Sequence, residues 1–517
     1  MATMRLELAR TVPWLSLVLL AGQASFAWSQ SQTTKIRPSL DMQALATDNA
    51  TIKNGSPQSD VLLTVTPGIS ISTRGAYSEL EGAWRFSHVR YTHQTQSDRT
   101  LPSGNLNARL GSGPQGLSLD AGVAAEQTRS QFTATNSATP STQDTYTDYR
   151  YRLSPQFAHQ FDSNTTVLAK INRTWVRSER NSGALVERPD SRVRDDGFSL
   201  TRQPTPFGFG LDGAYQSTIV SDQPDPTLTI KAARGRLLYA LSRELEIGAI
   251  AGRETTSVLQ QSVSSTVRGA QFRWTPGERT LVKGIGEDHA HGQTWQLDAT
   301  HRSPWMSFGF QSRRSAETSA APLGTFESGQ SVRSILDAML STRITNKTDR
   351  ARAVDDIITQ RKLPTNLAGT RDLYDLSAQM RQVTTGRLAF MGRRHMLILV
   401  GGMSKSIPLR YDQNVATNPL LPDITSSEYF LDTQLTHQLT RLNSLTGGLR
   451  WSRAHNTTML NGNSDFSHSR EFSWRASLDT QLTPDTTATY GLRRQITHLN
   501  TSVTSESVMF VGLGYRF

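Results

Sequence analysis

With 11 His and no Cys among 517 residues, metal and acid–base chemistry here must come from histidine and carboxylate. Thiol catalysis and thiolate-held zinc or iron–sulfur centres are excluded. The densest set of ligand-type residues is Glu287, Asp288, His289 and His291. A His-x-His pair on a strand turns both rings to one face, which suits a metal ion. Spacing fixes no third ligand, so the expectation is a solvated loop without metal. Asp355 and Asp356 are adjacent on a predicted helix and diverge, so they do not form a general acid–base pair. The nucleophile-elbow, phosphate-loop and zincin patterns are missing. His159, His437 and His498 each have serines within range, which leaves a wall-mounted Ser/His site open. The reading is a non-enzyme with no catalytic residues and no cofactor.

A second set of candidates takes its meaning from strands. Alternation with period two recurs along the chain. Phe207, Phe209, Leu211 and Tyr215 oppose Gly208, Gly210, Asp212 and Gln216, and Phe472, Trp474, Ala476 and Leu478 oppose Ser473, Arg475, Ser477 and Asp479. By the same pattern Arg150, Arg152, Lys170, Arg450, Arg475, Arg493 and Arg516 fall on polar faces. If those faces line a pore, the charges could select anionic solutes. The competing reading pairs them with Asp212, Asp298, Asp432 and Asp479 in a network that stabilises the wall. Trp84, Tyr151, Trp175, Trp274, Trp295, Trp305, Trp451, Trp474 and Tyr515 suit girdles at a membrane interface.

The elements that would position these residues are membrane-crossing strands. The last stretch places Met509, Val511, Leu513, Tyr515 and Phe517 on one apolar face, with Val508 and Phe510 breaking the polar face. It resembles the C-terminal signal read by the barrel-assembly machinery of the Gram-negative outer membrane. At the other end, Arg5 and Arg10 precede the apolar run Val12–Ala21 and the small-residue site Ser25-Phe26-Ala27, as in a cleaved signal peptide over 1–27. That run is too short to cross a bilayer as a helix, and the later run Met396–Val400 is shorter still. Mean hydropathy is −0.45, low for a membrane protein unless half of each strand faces water. Cation excess, 55 Lys and Arg against 44 Asp and Glu, is dispersed, which argues against nucleic acid.

Joints alternate short and long. Turn-like joints fall near Arg74-Gly75, Asp162-Ser163-Asn164, Arg243-Glu244, Pro276-Gly277-Glu278, Arg302-Ser303-Pro304, Arg393-Arg394, Leu442-Asn443 and Pro484-Asp485. Longer polar loops are predicted at Thr95–Gly104, Thr133–Asp144, Glu179–Asp190, Ser406–Ser427 and His455–His468. The least regular strands are Pro38–Asp48, Asn105–Leu110 and Arg192–Arg202. The fold class is therefore all-β: a transmembrane, antiparallel, up-and-down β-barrel of about 18–22 strands over residues 28–517. One segment, about 328–363, breaks the pattern. Helical spacing of Val332, Ile335, Leu336, Met339 and Leu340, and then of Val354, Ile357 and Ile358, predicts two short helices, Ser331–Leu340 and Asp349–Arg361. They would plug the lumen, cap its mouth or bind a partner; the competing reading is a packed extramembrane loop with no specific role.

Val65-Thr66-Pro67-Gly68-Ile69-Ser70, Gly75-Ala76, Tyr151-Arg152-Leu153-Ser154-Pro155, Arg273-Trp274-Thr275-Pro276 with Arg279-Thr280, and Leu297-Asp298-Ala299-Thr300-His301-Arg302 carry a family resemblance. The chain resembles the PEP-CTERM-system-associated outer-membrane β-barrel proteins over nearly all of its mature length. The resemblance implies a passive conduit in exopolysaccharide export, with a partly basic lumen, in the outer membrane of a Gram-negative bacterium. Implied partners are outer-membrane lipid and lipopolysaccharide, the assembly machinery, exopolysaccharide and periplasmic export components. The alternatives are a general or solute-specific porin, and a non-conducting structural or enzymatic barrel.

Overall fold

A chain whose strands are apolar on one face and polar on the other satisfies both faces, and every backbone N–H and C=O, by closing into a cylinder. The computed structural model describes residues 33–52, 56–75, 77–111, 115–129, 145–180, 189–221, 227–258, 261–318, 378–409, 423–460 and 463–517, with scattered residues between 336 and 357. The expected signal peptide lies outside the described residues. The first strands are β1 (Thr33–Thr47), β2 (Asp60–Arg74), β3 (Ser78–Tyr91), β4 (Arg99–Gly111), β5 (Gly116–Arg129), β6 (Thr145–Gln160), β7 (Thr165–Arg180) and β8 (Ser191–Arg202). Next come β9 (Phe207–Val220), β10 (Leu228–Ala240), β11 (Leu245–Val258), β12 (Gln261–Gly277), β13 (Thr280–His289), β14 (Gly292–Arg302) and β15 (Met306–Thr318). After the interruption follow β16 (Ala378–Met391), β17 (His395–Pro408), β18 (Asp423–Gln438), β19 (Asn443–Leu460), β20 (Asn463–Gln481), β21 (Thr486–Leu499) and β22 (Ser502–Arg516).

All belong to one 22-stranded sheet in which each strand pairs antiparallel with its neighbours in sequence. The seam is closed by β1 and β22, in register from Ser39↔Arg516 to Thr47↔Val508. No edge is left, so the terminal strand is a stave of the wall. Its residues Met509, Val511, Leu513, Tyr515 and Phe517 are 41–63% exposed, or 66% for Phe517, on the outer face.

The outside is apolar. Leu211, Leu431, Leu449 and Phe472 are each 45–53% exposed, among many others around the barrel. Such a continuous apolar surface is tolerated only in a hydrocarbon environment. Aromatic side chains flank it at two levels: Trp274, Trp305 and Tyr515 near one rim, Tyr151, Trp175 and Trp451 nearer the other, all exposed. This is a membrane-spanning β-barrel.

Connections from even to odd strands are short at every step, and all eight turn-like joints of the sequence fall there. The long connections lie at the opposite rim. Two of the predicted long loops are corrected. Arg99–Gly104 belongs to β4, and His455–His468 is a tall hairpin of β19 and β20, whose ladder continues to Leu460↔Asn463. Thr, Ser and Asn are abundant in that hairpin, so a polar composition concealed its strands. The less regular segments Pro38–Asp48, Asn105–Leu110 and Arg192–Arg202 are covered by β1 (but for Asp48), β4 and β8. The predicted loop Thr133–Asp144 lies outside the described residues.

Candidate functional site: the lumen and its insert

Between β15 and β16 the chain leaves the wall from the long-loop rim. Leu336, Asp337, Met339 and Leu340 are helical, as are Asp349, Arg350, Ala353, Val354 and Ile357. The Asn346 side chain accepts a hydrogen bond from the Asp349 N–H, as an N-cap does. Arg350 ties the two helical pieces together, donating from Nε to Asp337 Oδ1 (2.8 Å) and from Nη1 to the Ile344 carbonyl (3.0 Å). Ser331, the expected first cap, lies outside the described residues.

The helical face docks on the inner wall. Leu336, Met339, Leu340 and Val354 are buried in one cluster with Ala389, Met391, Met396, Ile398, Val400 and Phe430. The wall residues are the inward ones, since their neighbours Phe390 and Leu431 are exposed outside. Met391 and Met396, in the same cluster, flank the short β16–β17 turn, so the inward apolar patch extends down to the short-turn rim. Among the three expected placements, the described residues occupy the lumen. The signal was present in Met396–Val400: a strand apolar on both faces needs lipid outside and something apolar inside.

A second inner apolar cluster accounts for the irregularity of the last strand. Val508 is buried with Leu45, Leu62, Val89 and Tyr91, and Phe510 packs against them. At the long-loop rim the tips of β9–β11 and β15–β17 also meet. Leu228 is buried with Ala316, Ala378, Met380 and Leu409, and Thr318 Oγ1 donates to Thr218 Oγ1 (3.0 Å). The gap they bridge holds β13 and β14, the shortest strands at 10 and 11 residues.

The rest of the inner wall is a ladder of charge pairs. Arg150 contacts Glu126, Arg450 lies 3.8 Å from Asp432, and Arg475 donates to Gln434 Oε1 (3.4 Å). Arg493 donates to Gln495, Arg152 sits beside the Arg109–Asp120 pair, and Lys170 faces Asp195. Arg516 lines a polar cavity of about 370 Å³ at the seam with Asp41, Arg85 and Ser39. Sequence reasoning did not name Arg236, paired with Asp212 at 2.5 Å, or Arg313 and Arg381, which share Glu317. Asp298 is 3.7 Å from Lys283, and Asp479 accepts from Thr489 Oγ1 (2.7 Å). These partners face each other through the register of adjacent strands, which local sequence does not specify. The wall is zwitterionic more than it is a cationic ring.

His159 lies outward against Phe161, with ring centroids 4.7 Å apart, and His437 lies against His395 at 4.3 Å. His498 is exposed on the outer face as well, so none of the three faces the lumen. The expectation of a solvated loop at Glu287–His291 is corrected. Side chains of Glu287, His289 and His291 are 8%, 2% and 3% exposed, because taller strands enclose the short β13–β14 hairpin. Asp288 alone of the four, paired in register with Arg268, is directed outward with it.

No family model matches this chain, and no curated protein matches it. Among solved structures it is similar to OccAB4 of Acinetobacter baumannii, at 10% identity over 95% of this chain and 99% of that one, with a TM-score of 0.36. OpdK of Pseudomonas aeruginosa, solved with vanillate, is 8% identical over 93% and 99%, with a TM-score of 0.34. A mutant ferric enterobactin receptor, PfeA of Pseudomonas aeruginosa, solved with enterobactin, is 8% identical over 93% and 81%, with a TM-score of 0.44. Likenesses at this level carry no argument, and the barrel rests on its own strand pairing.

Proposed function

We propose that this protein is an outer-membrane conduit for exopolysaccharide whose lumen is gated by its own helical insert. The observation that carries the gate is the burial of Leu336, Met339, Leu340 and Val354 on the inward apolar patch of β16–β18. Apolar docking of this kind holds a plug without covalent attachment, and a few kcal/mol of displaced contact would release it. The family resemblance supplies the cargo. Support for the location comes from the apolar belt and from a band of outward basic residues toward the long-loop rim. There Arg194 lies 4.5 Å over the Tyr215 ring, Arg314 lies 5.4 Å over Trp295, and Arg253 and Arg268 are exposed. Such a one-sided band suits the phosphates of lipopolysaccharide, which puts the long loops outside the cell and the short turns in the periplasm. The signal peptide over 1–27 and the terminal assembly signal belong to the same reading.

Planar-bilayer recording tests the gate. The whole protein should conduct rarely, and removing residues 331–361, or the pair Leu336→Asp with Met339→Asp, should give stable open pores. A deletion variant that folds but stays closed would instead favour a non-conducting structural barrel, a reading that the sealed inner patch also supports. Deleting the gene tests the cargo: surface polysaccharide should fall and periplasmic polymer rise. Unchanged secretion would overturn the export role.

A further inference from the structure

Three buried side chains at the β13–β14 hairpin converge on a point that nothing in the protein fills. His289 ends β13, His291 lies in the turn, and Glu254 comes from β11, two strands away. Their side chains are 2%, 3% and 3% exposed. Glu254 Oε1 lies 3.2 Å from His289 Nδ1 and 3.4 Å from His291 Nδ1. At those distances hydrogen bonds would be expected, but neither imidazole nitrogen makes one. The ligand atoms lie beside one another, with all three within 4.8 Å. Buried polar atoms without partners cost about 1–3 kcal/mol each, so such a group calls for a missing component.

Geometry names the component. Four ligands about 2.0–2.1 Å from a tetrahedral zinc ion stand about 3.3 Å apart. Two of the three separations already match that edge, and rotation of His291 in its turn can close the third. The surrounding groups are those that orient metal ligands. Glu287 Oε2 lies 3.5 Å from His289 Nε2, on the ring edge away from Glu254. Arg234 Nη2 holds Glu254 Oε2 at 3.1 Å and its Nη1 holds Glu287 Oε2 at 3.3 Å, while Thr256 Oγ1 donates to Glu254 Oε1 at 3.0 Å. Arg234 thereby turns Oε1 toward the two histidines.

We infer that Glu254, His289 and His291 form a site for a divalent transition-metal ion of the zinc type, with water or a solute in the fourth position. Glu287 and Arg234 are its positioning residues. The ion would pin the shortest hairpin of the barrel to β11 beneath the joined tips of β9–β11 and β15–β17.

The test uses the full-length protein folded in detergent and stripped with a chelator. Titration with Zn²⁺ by calorimetry, and metal analysis after desalting, should give one zinc per chain. His289→Ala and Glu254→Gln should each weaken binding at least ten-fold. Asp288→Asn, outward on the same hairpin, should leave it unchanged, as should the double variant His455→Ala with His468→Ala, which removes an exposed histidine pair at the β19–β20 hairpin. Folding of each variant is checked by heat-modifiable migration on gels. A Co²⁺-loaded wild type gives a second readout that needs no variant: four-coordinate cobalt should show strong visible absorption. Failure to bind zinc saturably, or equal binding by folded His289→Ala protein, would overturn the site. A weak six-coordinate cobalt spectrum would do the same.

Discussion

Two single residues show how the barrel's ends and inner wall are held. Asp60, at the long-loop end of β2, accepts hydrogen bonds from the N–H groups of Val61 (2.7 Å) and His93 (2.9 Å) and from the Thr95 hydroxyl (2.5 Å). Burial pushes its carboxyl up, but the Thr95 hydroxyl and the backbone donors outweigh burial and hold it below the ordinary aspartate value of 3.8. A depressed acid stabilises the fold above its unfolded pKa, and that contribution is lost as pH falls through the folded value. The β3–β4 loop should therefore stay protease-resistant from neutral pH to about pH 5 and open only in stronger acid. Asp60→Asn should expose it at neutral pH, with amide exchange at His93 and Thr95 rising as about 1–3 kcal/mol of local stability goes. Gly491 makes the second case. A Cβ there would lie 2.3 Å from Phe510 Cζ, so glycine admits the ring that begins the inner cluster of β22. Gly491→Val should cost about 1–3 kcal/mol in denaturant refolding, and Phe510→Ala in the same chain should recover part of it.

At the scale of elements, departures from alternation carry the information. Regular strands such as β9 and β20 alternate because lipid and the lumen ask for opposite chemistry. Where both faces are apolar, as in β17 and the upper part of β22, an inner partner is present. The insert is that partner for β17. Ile398→Asp, inward and 2% exposed, should release the insert while leaving the ladder intact. The expected outcome is raised bilayer conductance with unchanged β-sheet circular dichroism. An equal change from the outward neighbour Leu397→Asp would contradict a lumenal docking role. The helical spacing of Leu336, Met339 and Leu340 announced an apolar face, but spacing holds no statement of which surface that face meets.

At the scale of the whole molecule, closure and the belt decide stability. Leu449, 53% exposed near mid-height, should tolerate Arg poorly, at about 2–4 kcal/mol in refolding into bilayers. Leu117, 66% exposed beside the short-turn rim, should tolerate the same change at about 0–1 kcal/mol. Equal costs at both positions would contradict a bilayer centred on the belt. Inside, the pairs Arg236–Asp212 and Arg450–Asp432 keep charge off the lipid face and cancel much of it within the lumen. Such pairing leaves the wall little net charge with which to select solutes by sign.

Alternation, joint length and the terminal apolar face determined the barrel and the turns at one rim, because those are local properties set by the lipid–water contrast. The apolar run at Met396–Val400 and the helical spacing near Leu336 were both legible, yet their meeting was not. Register between distant segments decided it, as it decided which carboxylate stands beside each inward arginine. The same holds for the histidine pair. Residues 287–291 read as a solvated loop by composition, and only the tertiary structure enclosed them between taller strands and brought Glu254 from β11 to within 3.4 Å of both rings. Local sequence fixes what a strand faces in kind; pairing across the closed sheet fixes whom each side chain meets.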